Sequence, residues 1–235
     1  MSAAVAPESI HPALWRASQL ARNTTRTVDT GYPALSAELP GGGWPTGTLV
    51  ELLVQQAGIG ELRLLRPALV SVSKRSIVFL EPPHAPQSVA FANWGLAPEQ
   101  VLWVRGRRTA DSLWAAEQLL RAGTCGALLF WQSHIRGESL RRLHLAAQSG
   151  ETLFCLMRPL ACAQDASPAP LRLRVTPAET GVEVLFIKRR GPQQERPLLI
   201  PLDPSPILLH CHAPLVDLPA PTIVTTGSFP TELVH

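Results

Sequence analysis

Apolar and polar positions follow two regimes along this chain. Between residues 48 and 158, near-continuous apolar runs are separated by stretches with helical spacing. TLVELLV at 48–54 is the first such run, the pattern expected of a strand buried on both faces. SIVFLE at 76–81, QVLWVR at 100–105, GALLFW at 126–131 and TLFCLM at 152–157 repeat it. Segments 61–70, 86–95, 109–122 and 138–148 lie between these runs and read as helices. In the last of them Leu140, Leu143 and Ala147 share one face, with Arg141 and Arg142 off it. Asp111 reads as the N-cap of the 109–122 helix, and Gly123 follows its end. Strands alternating with helices predict an α/β fold, a mainly parallel sheet with helices on both faces. Runs 171–175 and 182–188 flank Gly181 and predict a β-hairpin, an antiparallel extension at one edge; 198–202 is a last short strand. A helix is expected at 12–22, whereas LSAELPGGGWPTG at 35–47 is dense in turn residues and is expected to hold no regular structure. The expected division is an N-terminal helix and linker at 1–34, the α/β core at 35–202 and a proline-rich tail at 203–235.

Composition narrows the class. The 235 residues are 46% hydrophobic and 17% charged, enough apolar material for a core and too much for wholesale disorder. No apolar run approaches the ~20 residues of a membrane helix. The first residues lack a charged start followed by an apolar block, so no export signal is expected and the expected compartment is the cytoplasm. A net charge of +3 does not by itself mark a nucleic-acid binder. The four cysteines form no CxxC pair and are expected as free buried thiols. His210, Cys211 and His212 are consecutive and point in different directions, so they do not make a metal site.

The informative segment is L-x-x-x-L-P-G-G-G-W-P-x-G-x-L-V-E-L over 35–52. With SIVFLEPPHAP from Ser76 and GLAPEQVLWVR from Gly95, it resembles the RecA ATPase core, and most of all the ImuA family, the RecA-like accessory proteins of bacterial mutagenic cassettes. The similarity extends from about residue 10 to residue 202. It implies a P-loop-type core. A phosphate loop needs glycines, a lysine facing the γ-phosphate and a Ser or Thr on magnesium. The matching stretch here runs from Val54 through Gly58 and Gly60 to Glu61 and Leu62. Gly60 fills the second glycine position; Glu61 stands at the lysine and Leu62 at the magnesium ligand. Pro83 precedes His84 where the family has its activating glutamate, with Glu81 two residues early, and Phe130–Gln132 stand where an aspartate ends the fourth strand. The nucleotide site is therefore read as degenerate: no catalytic residue, no cofactor, no metal and no enzyme activity.

The resemblance implies a non-catalytic scaffold for SOS-induced, error-prone translesion DNA synthesis. Its implied partners are an ImuB-like polymerase-family protein, an error-prone replicative-type polymerase and RecA. Alternatives are a SulA-type cell-division inhibitor that binds the tubulin-like division protein, and a DNA-stimulated ATPase. Partner contacts are expected at Leu14, Trp15, Phe229 and Leu233, apolar residues of the two termini. An auxiliary DNA contact is expected at Arg136 and Arg158, in the loops after the fourth and fifth strands, and at Lys188, Arg189 and Arg190.

Overall fold

The computed structural model describes residues 26–191 and 196–202. The chain splits into two units, Met1–Asp203 and Pro204–His235, and every described residue lies in the first. The expected helix at 12–22 and the tail from 203, with Leu14, Trp15, Phe229 and Leu233, lie outside the described residues.

The chain enters through β1 (Thr27–Val28), α1 (Pro33–Glu38) and β2 (Trp44–Pro45). It continues through β3 (Thr48–Val54), α2 (Glu61–Val72), β4 (Ile77–Leu80), α3 (Ser88–Asn93) and β5 (Val101–Val104). Then come α4 (Thr109–Ala122), β6 (Ala127–Trp131), α5 (Gly137–Ala147), β7 (Leu153–Pro159), β8 (Leu171–Ala178), β9 (Gly181–Lys188) and β10 (Leu198–Pro201). Eight strands form one sheet in the order β10-β9-β8-β3-β7-β6-β4-β5. All pairs from β8 to β5 are parallel, and β9 and β10 add antiparallel at one edge. This is the predicted mostly parallel α/β sheet with its hairpin extension.

Strand alternation builds a separate core on each face. Ile77 and Phe79 of β4 join one apolar cluster, while Val78 and Leu80 join the other. The first cluster takes Leu35 of α1, Leu64, Leu65, Ala68 and Leu69 of α2, and Phe91 of α3. The second takes Ala116 and Leu120 of α4 and Leu140 and Leu143 of α5. Helices thus cover both faces.

Four expectations need correction. Residues 35–47 are not free of regular structure: α1 ends at Glu38, and β2 pairs antiparallel with β1. Proline at the first turn of α1 costs no helix bond, and Leu35 and Trp44, both fully buried, anchor the stretch. The third core strand is not buried on both faces. Among the described residues β5 has one neighbouring strand, β4, and it leaves Leu102 45% and Trp103 48% exposed. Asp111 is not the N-cap of α4 but its third residue; its carboxylate accepts the backbone N–H of the capping residue, Arg108, at 3.2 Å. Nor are all the cysteines buried: Cys125 and Cys155 are, Cys162 is half-buried, and Cys211 lies outside the described residues. Gly123 does close α4, in the left-handed conformation that favours glycine. Among the described residues no helix is long and apolar enough to cross a membrane.

Candidate functional site

Open parallel sheets offer ligands the crevice beyond the carboxyl ends of their strands. Here β3 delivers a six-residue loop, 55–60, to that edge, and α2 starts directly after it. Gly58 (φ 88°) and Gly60 (φ 120°) take backbone conformations that other residues adopt only with strain. Space adds to this at Gly60, where a Cβ would stand 2.9 Å from Leu202 Cδ1. The loop leaves backbone N–H groups at the positive end of the α2 dipole, the arrangement that binds phosphate.

Two of those groups are already taken. Glu61, the first residue of α2, is 2% exposed, and its carboxylate folds back over the loop. Oε1 accepts the Gly58 N–H at 2.8 Å and Oε2 accepts the Gly60 N–H at 3.2 Å. The residue at the expected lysine position therefore supplies an anion of its own to the loop. Leu62 is half-buried and packs on the first core.

The other acidic positions are also committed. Glu81 adopts φ 54°, a left-handed conformation unusual for a residue with a side chain. Its Oε1 accepts the Gly106 N–H at 2.5 Å and the Ser112 hydroxyl at 2.6 Å, tying β4 to the start of α4. Phe130 is fully buried in the second core. Trp131 stacks on Phe79, ring centres 5.9 Å apart. Beside the loop, at the ends of β3, β6 and β7 and against Pro83, lies a cleft of about 300 Å³.

The expected DNA contacts divide. Arg136 is exposed at the start of α5. Arg158 is corrected: it is 2% exposed and offers no charge to the surface. β7 runs on to Pro159, so alternation puts Arg158 on the face of Phe154 and Leu156, beneath the following loop. Its Nη2 donates to Asp165 at 2.9 Å, and its Nη1 lies 3.7 Å from Glu51. Glu51 is fully buried; it also accepts Arg172 Nε and the Ser167 hydroxyl, both at 2.7 Å. Arg172 in turn donates to the carbonyls of Cys162 and Ala163. The loop after β7 is thus pinned along its length by a buried ionic cluster.

Lys188, Arg189 and Arg190 lie elsewhere. β9 runs antiparallel to β8, with Lys188 opposite Arg172, so the three residues lead toward the start of β3 and away from the strand ends that carry the two loops. Lys188 donates to the Ser167 carbonyl at 3.0 Å. Arg189 donates to the carbonyl and carboxylate of Glu38, both at 2.7 Å, and lies 4.7 Å over the Phe186 ring, so it fastens α1 to β9. Arg190 is exposed, beside a groove of about 410 Å³ that also holds Arg26, which pairs with Glu151.

No family model matches the chain. A stretch of 98 residues, 41% of the chain, is 28% identical to the cell division inhibitor SulA of Edwardsiella piscicida and covers 58% of that protein. The matched stretch spans less than two thirds of that protein, and the likeness does not single out the ImuA family.

Proposed function

We propose that this chain is a non-catalytic RecA-like scaffold of the SOS response, working in the cytoplasm in error-prone translesion DNA synthesis. One observation carries the non-catalytic part: the Glu61 carboxylate occupies two N–H groups, of Gly58 and Gly60, in the loop that would receive a phosphate. An incoming phosphate meets a like charge, worth ~4 kcal/mol at 4 Å and an effective dielectric of 20. Neither a lysine nor a hydroxyl at positions 61 and 62 offsets it. A fold without nucleotide chemistry acts through its surfaces. The edge strand β5 supports such a role: Leu102 and Trp103 are exposed, the strand is paired on one side among the described residues, and an apolar strand edge of this kind accepts a partner's strand. The partners in this reading are an ImuB-like polymerase-family protein, an error-prone replicative-type polymerase and RecA. Arg136, exposed beside the loop ends of the strands, serves an auxiliary DNA contact.

The second reading is a SulA-type division inhibitor bound to the tubulin-like division protein, and the 28% identity to SulA favours it. Both readings share the closed loop; they differ in partner. Capture of partners from DNA-damaged cells by the full chain separates them, a polymerase-family protein marking the first and the tubulin-like protein the second. Trp103→Ala should weaken capture about 30-fold if Trp103 is an interface anchor. Calorimetry with magnesium-ATP should give no heat of binding. ATP turnover by the native chain that disappears in Gly60→Asp would refute the scaffold in both forms.

A further inference from the structure

Strand β5 closes the parallel end of the sheet and pairs, among the described residues, with β4 alone. One bond fixes the direction of its backbone groups. The Val104 carbonyl accepts the Glu81 N–H at 3.0 Å, so Val104 bonds toward the sheet. Successive residues of a strand turn their N–H and C=O to opposite sides. Leu102 therefore also bonds toward β4, and Val101, Trp103 and Arg105 turn their backbone groups to the open edge. At the other end of the sheet, Pro201 within β10 has no N–H to offer, and Pro197 precedes that strand. No proline interrupts 99–105, and Leu102 and Trp103 stand exposed on opposite faces of β5. An unpaired apolar edge without these blunting devices accepts another strand.

Charge and alternation select which strand fits. Glu99 is exposed in the turn that leads into β5, and Arg105 is exposed directly after its end. Val101 and Trp103 lie between them on one face, with Leu102 on the other. A second copy turned antiparallel about Leu102 sets its Arg105 opposite Glu99 and its Trp103 opposite Val101. The two-fold axis repeats both matches on the other side. Val101 and Trp103 then exchange hydrogen bonds, and Leu102 meets Leu102 in a pair without them, as the direction of the backbone groups requires. Parallel addition of the same strand fails on charge, because it lays Arg105, Arg107 and Arg108 of one copy beside those of the other. The Arg105 guanidinium already lies 5.2 Å from the centre of the Trp103 ring, so the charged and aromatic contacts come to the axis as one unit.

We infer that β5 pairs with β5 of a second copy of this chain, antiparallel about Leu102, joining two sheets into one across a two-fold axis. The inference rests on the reading of β5 as a strand acceptor and names the strand it accepts. A scaffold paired in this way offers each of its remaining surfaces twice.

The test is sedimentation of the purified full-length chain, which should show a reversible monomer–dimer equilibrium below about 100 µM. Glu99→Arg and Arg105→Glu should each weaken the dimer about tenfold, and the two together should restore it, because the swapped charges meet again across the axis. Both side chains are exposed, so neither change puts the fold at stake. Leu102→Cys should give a disulfide-linked dimer with oxidised glutathione, since its Cβ meets its own copy at ~5 Å. Gln100→Cys should give no more than the native chain does, because its two copies lie ~14 Å apart along the strands. A chain that stays monomeric to about 100 µM, or a dimer indifferent to both charge reversals, overturns the inference. The scaffold reading is judged separately, by partner capture. A monomer that still loses its cellular partner in Trp103→Ala assigns the edge to that partner alone. A monomer whose capture ignores Trp103→Ala leaves the edge to a segment of the chain itself.

Discussion

Replacing Glu61 by glutamine tests the closed loop most directly. The amide keeps the size of the carboxylate and one acceptor oxygen. That oxygen can still take the Gly58 N–H, but the new NH2 then faces the Gly60 N–H, donor against donor. Hydrogen bonds to a charged group contribute ~1.5–3 kcal/mol, and neutral ones ~0.5–1.5. The lost anion at the start of α2 adds ~0.3–1 kcal/mol through the helix dipole. Glu61→Gln should therefore destabilise the protein by ~2–4 kcal/mol, and Glu61→Ala, which leaves both donors unmet, by ~3–5 kcal/mol. Against a total stability of ~5–15 kcal/mol this is large. The assay is the denaturant midpoint at neutral pH with the slope unchanged, joined to amide exchange. Loss of 2.8 kcal/mol should speed exchange at Gly58 and Gly60 about 100-fold where local opening controls it. Glu99→Gln, on an exposed residue, is the control. If Glu61→Gln moves the midpoint no more than Glu99→Gln does, the carboxylate does not hold the loop and the scaffold argument loses its footing.

Two further outcomes follow from the charged clusters. Glu51→Gln leaves Arg172 buried without its anion and Arg158 with Asp165 alone, and should cost ~3–5 kcal/mol. It should also open the 160–170 loop to limited proteolysis, whereas Glu51→Met combined with Arg172→Met should cost less. Glu117 accepts hydrogen bonds from Arg142 and Arg121, which hold its pKa below the ordinary glutamate value, Arg142 most of all. A lowered carboxylate pKa stabilises the fold above the unfolded-state value of ~4.3 and loses that contribution as pH falls through the folded value. Acid unfolding followed by circular dichroism should therefore have a flatter limb below about pH 4.3 in Glu117→Gln, and an unchanged limb would remove the α4–α5 ion pair from the account.

The strands were legible because burial on both faces writes a continuous apolar run, and β3, β4, β6 and β7 all carry one. β5 carries one too, yet lies at the edge: a run records apolar side chains, not the number of neighbouring strands. The short elements α1 and β2 escaped because prolines and glycines fill their flanks, although Leu35 and Trp44 were visible as the large apolar residues there. Arg158 was readable in principle. Counting by twos from Phe154 and Leu156 reaches it on the same buried face, had the strand been carried past Met157. Glu51 gave a similar signal, since a carboxylate inside TLVELLV needs a buried partner. The grouping of Lys188–Arg190 with the loop arginines failed on direction, because residue order alone does not say that β9 runs back toward the start of β3. The charge reversal at Glu61 was plain in the sequence, but its carboxylate turning onto Gly58 and Gly60 depends on the two left-handed glycines acting together.

Three carboxylates, on β3, just after β4 and at the start of α2, share one fate. Glu61 is held by the Gly58 and Gly60 N–H groups, Glu81 by Gly106 and Ser112, and Glu51 by Arg172 and Ser167. Each is an acid at the side of the sheet where a nucleotide enzyme keeps acids free to bind metal or orient water. Here each is spent on donors of the chain itself, and each fixes a different connection: the loop before α2, the start of α4, and the segment after β7. These are also the connections a nucleotide would reorganise in a switch that reads its γ-phosphate. Self-satisfaction removes the free acid and the freedom to move together. A protein built this way presents the same surfaces with or without ATP, so the affinity of its partners should not change when magnesium-ATP is added.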